Sequence, residues 1–251
     1  MSSPFRAGLV SVSFRKHSPE EIIKAATEAG LCCIEWGSDV HAPCHDTERL
    51  DHIVALQKQY GISCCSYGTY FRLGETPIEE LEDYVSAARR LGTDVLRLWC
   101  GKKCGADMRE EEIDALLTQC RRAAAIAEHH GVTLCMECHK GTFTERAEDT
   151  ERLIRSVNSP HFRMYWQPFQ WLTPEESLAV ARAVSPYAEH IHVFNWQGKL
   201  RFPLSEALEV WRTYLTVFSP PRTLLLEFMP DDAIETLPTE AEALHRLIAS
   251  L

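Results

Sequence analysis

Apolar runs of five to seven residues, rich in Val, Ile, Leu and Cys, recur along this chain, and each precedes a longer stretch with helical spacing. Short continuous apolar runs of this kind predict buried parallel strands. The first covers 8–13 (GLVSVS). Ser18-Pro19-Glu20-Glu21 then supplies an N-cap, a first-turn proline and two acids for the helix dipole, and Gly30 supplies a stop. The second strand, LCCIEW, ends at Trp36, and the third, ISCCSY, ends at Tyr67 after a helix that stops at Gly61. A helix from Thr76-Pro77 to Leu91 leads to the fourth strand, DVLRLW, and a helix over 110–130 leads through Gly131 to VTLCME. The strands FRMYWQ, HIHVFN and TLLLEF follow, separated by helices near 147–157, 174–184 and 204–218, with a last helix over 233–250.

Eight strand–helix pairs in 251 residues, with no leftover segment or low-complexity linker, predict one closed (β/α)₈ barrel over the whole chain, 1–251. An open doubly wound sheet is the competing arrangement, but no strand runs into a Gly-x-Gly-x-x-Gly turn.

In such a barrel the chemistry collects where strands stop. The fifth strand ends in Glu137-Cys138-His139-Lys140, the sixth in Gln167-Pro168-Phe169-Gln170, and the eighth in Glu227-Phe228; the seventh carries His190 and His192 before Asn195-Trp196. Polar side chains in apolar strands are costly unless partnered. Strand alternation puts Glu137 in phase with Thr133 and Cys135, Gln167 with Tyr165, His192 with His190, and Glu227 with Thr223 and Leu225. If those faces point inward, two carboxylates, an imidazole and an amide oxygen meet at the barrel mouth, a shell for one divalent cation. The alternative is a set of hydrogen-bonded polar residues that caps the barrel without metal.

The segments SVSFR, IEWGSDVH, SYGTYFRLG, LRLWCG, MECHKGTFT, YWQPF, HIHVFNW and LLLEF, in that order, resemble the xylose isomerase-like barrel superfamily, in particular its sugar phosphate isomerase/epimerase members. The resemblance implies one metal ion (Mn²⁺, Mg²⁺, Co²⁺ or Zn²⁺) on Glu137, Gln167, His192 and Glu227, with His192 preferred to His190 because it lies nearer the strand's end. It also departs from the family pattern: similar epimerases carry Asp and, three residues on, His where this chain has Gln167 and Gln170. An amide oxygen coordinates without bringing charge, so weaker or differently selective binding is expected.

Around the mouth, Glu35, Asp39 and His41, Tyr67, Tyr70 and Arg72, Lys102, His139, Trp166, Asn195 and Trp196 are candidates to contact a polyhydroxylated substrate, and Lys199 and Arg201 could meet a phosphate. The implied reaction is isomerisation or epimerisation of a small sugar, sugar phosphate or sugar acid by proton transfer through an ene-diolate, with Glu137 and Glu227 as the acid–base pair. A hydride shift would call for two metals, whereas strand seven continues as FNW rather than with further acids. An inosose-type dehydratase on the same scaffold and a metal-free sugar-binding barrel are the alternatives.

Composition narrows the partners. Thirty-six acidic against 26 basic residues give a net charge of −10, which opposes binding to nucleic acid and with it the DNA-repair branch of the superfamily. Neither a leader-like apolar segment nor a run of membrane-spanning length is present, so a cytoplasmic protein without membrane contact is expected, with homo-oligomerisation left open. The ten cysteines read as buried, reduced thiols. Cys135 and Cys138, three apart at a strand end, face opposite ways and make a poor zinc knuckle.

Overall fold

The computed structural model describes residues 5–219 and 221–251. Residues 1–4, the start of the N-terminal segment read above for a leader, lie outside the described residues. The barrel strands are β1 (Phe5–Val10), β2 (Cys33–Gly37), β3 (Ser63–Leu73), β4 (Val95–Cys100), β5 (Thr133–Glu137), β6 (Phe162–Trp166), β7 (Ala188–Val193) and β10 (Arg222–Leu226). They close in the order β1-β10-β7-β6-β5-β4-β3-β2, all neighbours parallel. The helices α1 (Pro19–Glu28), α2 (Thr47–Tyr60), α3 (Leu81–Leu91), α4 (Glu110–His130), α5 (Ala147–Val157), α6 (Pro174–Val184), α7 (Leu208–Leu215) and α8 (Leu237–Ala249) alternate with them. The protein is therefore a (β/α)₈ barrel.

Local chemistry explains most boundaries. Ser18 and Glu21 form a reciprocal capping box on α1, and Thr173 and Glu176 do the same on α6. Gly61, Gly92 and Gly131 end α2, α3 and α4 in the left-handed conformation that glycine adopts freely.

Differences from expectation cluster at the C-terminal face. β3 runs six residues beyond Tyr67, to Leu73, because its pairing with β4 slips between Gly68 and Arg72 and then resumes. The stretch expected as one helix over 204–218 breaks into a 3₁₀ turn at Leu204–Glu206 and the shorter α7. A small antiparallel hairpin, β8 (Trp196–Gln197) with β9 (Leu200–Arg201), follows β7 and was not foreseen. Six of the ten cysteines are buried, three are half-buried and Cys32 is exposed; all are free thiols. Cys135 joins the barrel interior and Cys138 the outer core, on opposite faces as expected. Among the described residues no helix is long and apolar enough to cross a membrane.

Candidate active site

Strand alternation turns one charged side chain from each of five strands into the upper barrel. Glu35 (β2), Arg97 (β4), Glu137 (end of β5), His192 (β7) and Glu227 (after β10) are all buried. Arg97 is their centre: its Nε donates to Glu35 Oε1 at 2.8 Å and its Nη1 to Glu137 Oε2 at 2.6 Å. Trp99, two residues on and on the same face, gives its indole N–H to the same Glu137 oxygen at 2.6 Å. Below them, Tyr165 donates to Ser66 Oγ and Ser66 to Glu35 Oε2, both at 2.6 Å, so Glu35 is held from both sides. The pair sits against bare backbone: a Cβ on Gly68 would lie 2.6 Å from Glu35 Oε1 and 2.9 Å from Arg97 Nη2. Glycine is required there by space.

His192 faces the other side of this network. Its Nδ1 lies 3.5 Å from Glu137 Oε1, 3.5 Å from Glu227 Oε2 and 3.3 Å from Gln167 Oε1. Donor atoms about 2.1 Å from a divalent ion stand roughly 3.0–3.4 Å apart in octahedral or tetrahedral geometry. Suitable atoms of Glu137, His192 and Glu227 all lie within 4.8 Å of one another, so slight inward movement would enclose an ion. Gln167 is anchored to suit, its amide N–H donating to the Cys138 carbonyl at 3.1 Å and leaving Oε1 toward His192. The opposite imidazole nitrogen, Nε2, is buried without a hydrogen bond and lies 3.7 Å from Glu35 Oε1. Metal-bound histidines commonly orient through such a carboxylate. The donor set therefore fits one divalent cation.

The carboxylates are electrostatically unequal. Burial pushes the Glu137 pKa up, but Arg97 and His192 outweigh it and hold the carboxyl at about 2. Glu35 is likewise driven well below the usual carboxylate range, burial being overcome by Arg97 and His192. Glu227 goes the other way: burial and the nearby Glu137 charge raise it, with His192 and Arg97 compensating only in part. Burial lowers the His192 pKa, but Glu227, Glu137 and Glu35 together raise it to about 10.

Above this centre opens a cavity of about 280 Å³ lined by Arg15, Tyr70, Arg97, Trp99, Glu137, His139, Gln167, Gln170, Trp196, Glu227 and Phe228, with Val12 at its edge. Arg15 is fixed by Asp39, which accepts from its Nε at 2.7 Å, and by the Tyr70 hydroxyl. Phe228, directly after Glu227, is a non-glycine residue at φ 55°, held by its N–H to Ser13 Oγ at 2.9 Å. Its ring meets Trp196, and Arg201 stacks 4.7 Å from both ring centroids. Backbone held in this region beside a buried carboxylate is strain of the kind found at functional sites.

The other expected mouth residues are distributed differently. Glu35 lies beneath the centre with no exposure, and His41 is buried between Ser11 Oγ and the His17 carbonyl. Tyr67 faces outward, donating to the Ala42 carbonyl at 2.6 Å, because the slip between Ile34 and Glu35 in the β2–β3 pairing turns Ser66 inward instead. Arg72 donates to the Gly101 carbonyl and stacks 4.5 Å from the centroid of the Trp99 ring, while Lys102 pairs with Glu75 beside a separate surface cavity. Asn195 donates to the Pro203 carbonyl, and Trp166 packs outward on Trp211, Tyr214 and Phe218. His190 sits one layer below His192, bonded to the Cys65 carbonyl at 3.2 Å. Of the residues missed, Arg97 carried a legible signal: a lone guanidinium inside the apolar run VLRLWC must find partners. Arg15 and Trp99 carried none, because only their loop and strand phase turn them into the cavity.

Residues 23–209 match the xylose isomerase-like TIM barrel family. A curated relative, the 3-dehydroshikimate dehydratase of Bacillus anthracis, is 23% identical over 199 residues, covering 74% of this chain and 70% of that protein. The crystal structure of the probable 3-DHS dehydratase AsbF involved in petrobactin synthesis, also from B. anthracis, superposes with a TM-score of 0.81 at 18% identity, covering 96% of this chain and 98% of the other. D-psicose 3-epimerase from Clostridium cellulolyticum H10, solved with D-tagatose, gives 0.69 at 13% identity over 96% and 98% of the two chains. The barrel, the order of its strands and the family match together make this chain a member of the xylose isomerase-like TIM barrel family.

Proposed function

We propose that this protein is a divalent-metal-dependent dehydratase, which removes a proton next to the carbonyl of a small hydroxylated compound and expels a β-hydroxyl group as water. The observation that carries the reading is the inequality of Glu137 and Glu227. Glu137 spends one oxygen on both Arg97 and Trp99, whereas Glu227 borders the same cavity without a hydrogen bond from either donor. Epimerisation, the expectation from the sequence, requires two groups that give and take protons from opposite faces. Elimination requires one such base and an acid for the leaving group.

A bound divalent ion would polarise the substrate carbonyl and so acidify the neighbouring C–H bond. Glu227 then accepts that proton as the C=C bond forms. His139 lines the cavity with its Nδ1–H given to the Lys140 carbonyl at 2.7 Å; as an imidazolium it would carry a second proton on Nε2, and passing that proton to the departing hydroxyl releases water and leaves neutral imidazole. Trp99, Trp196 and Phe228 wall the cavity and limit the water that competes for these groups. The dehydratase activity of the B. anthracis relative supports the choice of elimination and suggests 3-dehydroshikimate as the first substrate to assay. Loss of one water from it gives aromatic 3,4-dihydroxybenzoate, so turnover is visible by absorbance.

The test is product analysis with Mn²⁺, Mg²⁺, Co²⁺ or Zn²⁺ on 3-dehydroshikimate, an inosose and a ketose panel. Metal-dependent formation of an unsaturated or aromatic product is expected. At saturating metal, Glu227→Gln should lose about 10²–10⁴-fold in rate. Formation of a C-epimer carrying solvent deuterium, with no dehydration, would replace elimination by epimerisation.

A further inference from the structure

A second cavity of about 290 Å³ adjoins the first, sharing His139, Gln167, Gln170 and Trp196 with it and adding Lys140, Phe169, Trp171 and Gly198. The hairpin forms its outer wall, tied down by the Gly198 N–H to the Gln170 carbonyl at 2.7 Å. Three Arg or Lys side chains line the two cavities. Arg15 is paired with Asp39, and Arg97 with Glu35 and Glu137. Lys140 has no carboxylate within ion-pair distance among the described residues; its ammonium instead stands 4.2 Å from the centroid of Trp171. Trp171 is 42% exposed, unusual for a side chain of this size. A cation–π contact restrains the ammonium without neutralising it. On a chain of net charge −10, a local unpaired cation beside the site also offsets a field that repels anions.

We infer that Lys140, backed by Trp171, is a specificity residue: it receives an anionic group of the substrate, carboxylate or phosphate, while the reacting carbon lies at Glu227. The inference rests on the metal-centre reading above for the position of the reacting end, and it adds that the substrate is an acid rather than a neutral sugar. Gln170 supplies an uncharged polar group along the path between the two ends.

Binding to the metal-loaded protein, read by tryptophan fluorescence and calorimetry, tests it with 3,4-dihydroxybenzoate, catechol and inorganic phosphate. Catechol keeps the diol and lacks the carboxylate. Wild type should prefer 3,4-dihydroxybenzoate to catechol by about fivefold or more, Lys140→Gln should bring the two within twofold, and Lys140→Arg should restore the preference. Tight phosphate binding that Lys140→Gln abolishes identifies a phosphate ester as the source of the anion. If neither diol binds yet phosphate binding depends on Lys140, the anion subsite stands and the dehydratase reading falls. Affinities untouched by Lys140→Gln, or no binding of any of the three probes, overturn the assignment.

Discussion

The two cores of this barrel are built on opposite principles. Between sheet and helices, Leu, Ile, Val, Ala and aromatic side chains from both layers pack into one continuous apolar cluster. Inside the barrel the apolar part is small, formed by Val10, Val12, Cys33, Val95, Cys135, Tyr165 and Leu225, and beside it the space is filled by Glu35, Arg97, Glu137, His192 and Glu227. The outer core tolerates exchange of one hydrocarbon for another because dispersion and burial are non-directional. In the interior each charge is held by a named partner, and removing one leaves the others uncompensated. The contrast teaches where stability and chemistry are separated: helices hold the sheet from outside, which frees the interior to carry costly polar groups.

The largest expected break in this comparison is at Arg97. Arg97→Leu roughly keeps the volume but removes the positive charge and strands Glu35 and Glu137, at a cost of about 3–5 kcal/mol. Leu224→Ala, from the outer core, should cost about 2–5 kcal/mol through the cavity it leaves. The two separate on adding Mn²⁺. The ion should raise the Tm of Arg97→Leu more than that of wild type, since it replaces missing positive charge, and should raise Leu224→Ala by the wild-type increment. Equal metal shifts in both variants would show that the interior charges are not interlocked.

Next in size is the pH dependence that only the interior has. In metal-free protein His192 is raised from 6.5 to about 10, so the stability it contributes is complete below pH 6.5 and drains away as pH rises toward 10. Glu227, also raised, acts in the same direction from its own unfolded value upward. Urea melts of chelator-treated protein should lose at most about 1.4 kcal/mol per pH unit across this window. A metal ion needs unprotonated Nδ1, so binding at pH 7 should release at least one proton per ion, measurable by calorimetry in buffers of different ionisation enthalpy. Proton-neutral binding would exclude His192 as a ligand.

The smallest effect expected is at Gln167. Gln167→Asp adds a negative charge to the donor set and should tighten Mn²⁺ binding by about tenfold, read by competition with a chelator. Unchanged affinity would place Gln167 outside the coordination sphere, held only by His192 Nδ1 and the Cys138 carbonyl.

The strand–helix alternation, the capping residues at Ser18 and Thr173, and the inward phase of Glu137, Gln167, His192 and Glu227 were all legible in the sequence. They depend on local periodicity and on side-chain chemistry within a few residues. Closure then followed from the number of strand–helix pairs. Which charges pair could not be read, because Arg97 lies 62 residues from Glu35 and 40 from Glu137, and only barrel closure brings them together. Strand slips beside Glu35 and Gly68 decided that Ser66 faces in and Tyr67 out, and alternation counted from sequence passes over such slips. The same closure made Glu137 and Glu227 unequal. The two carboxylates are the same residue type at equivalent strand ends, and the difference between them is the guanidinium that β4 brings into hydrogen-bond contact with Glu137 and only into longer-range attraction with Glu227.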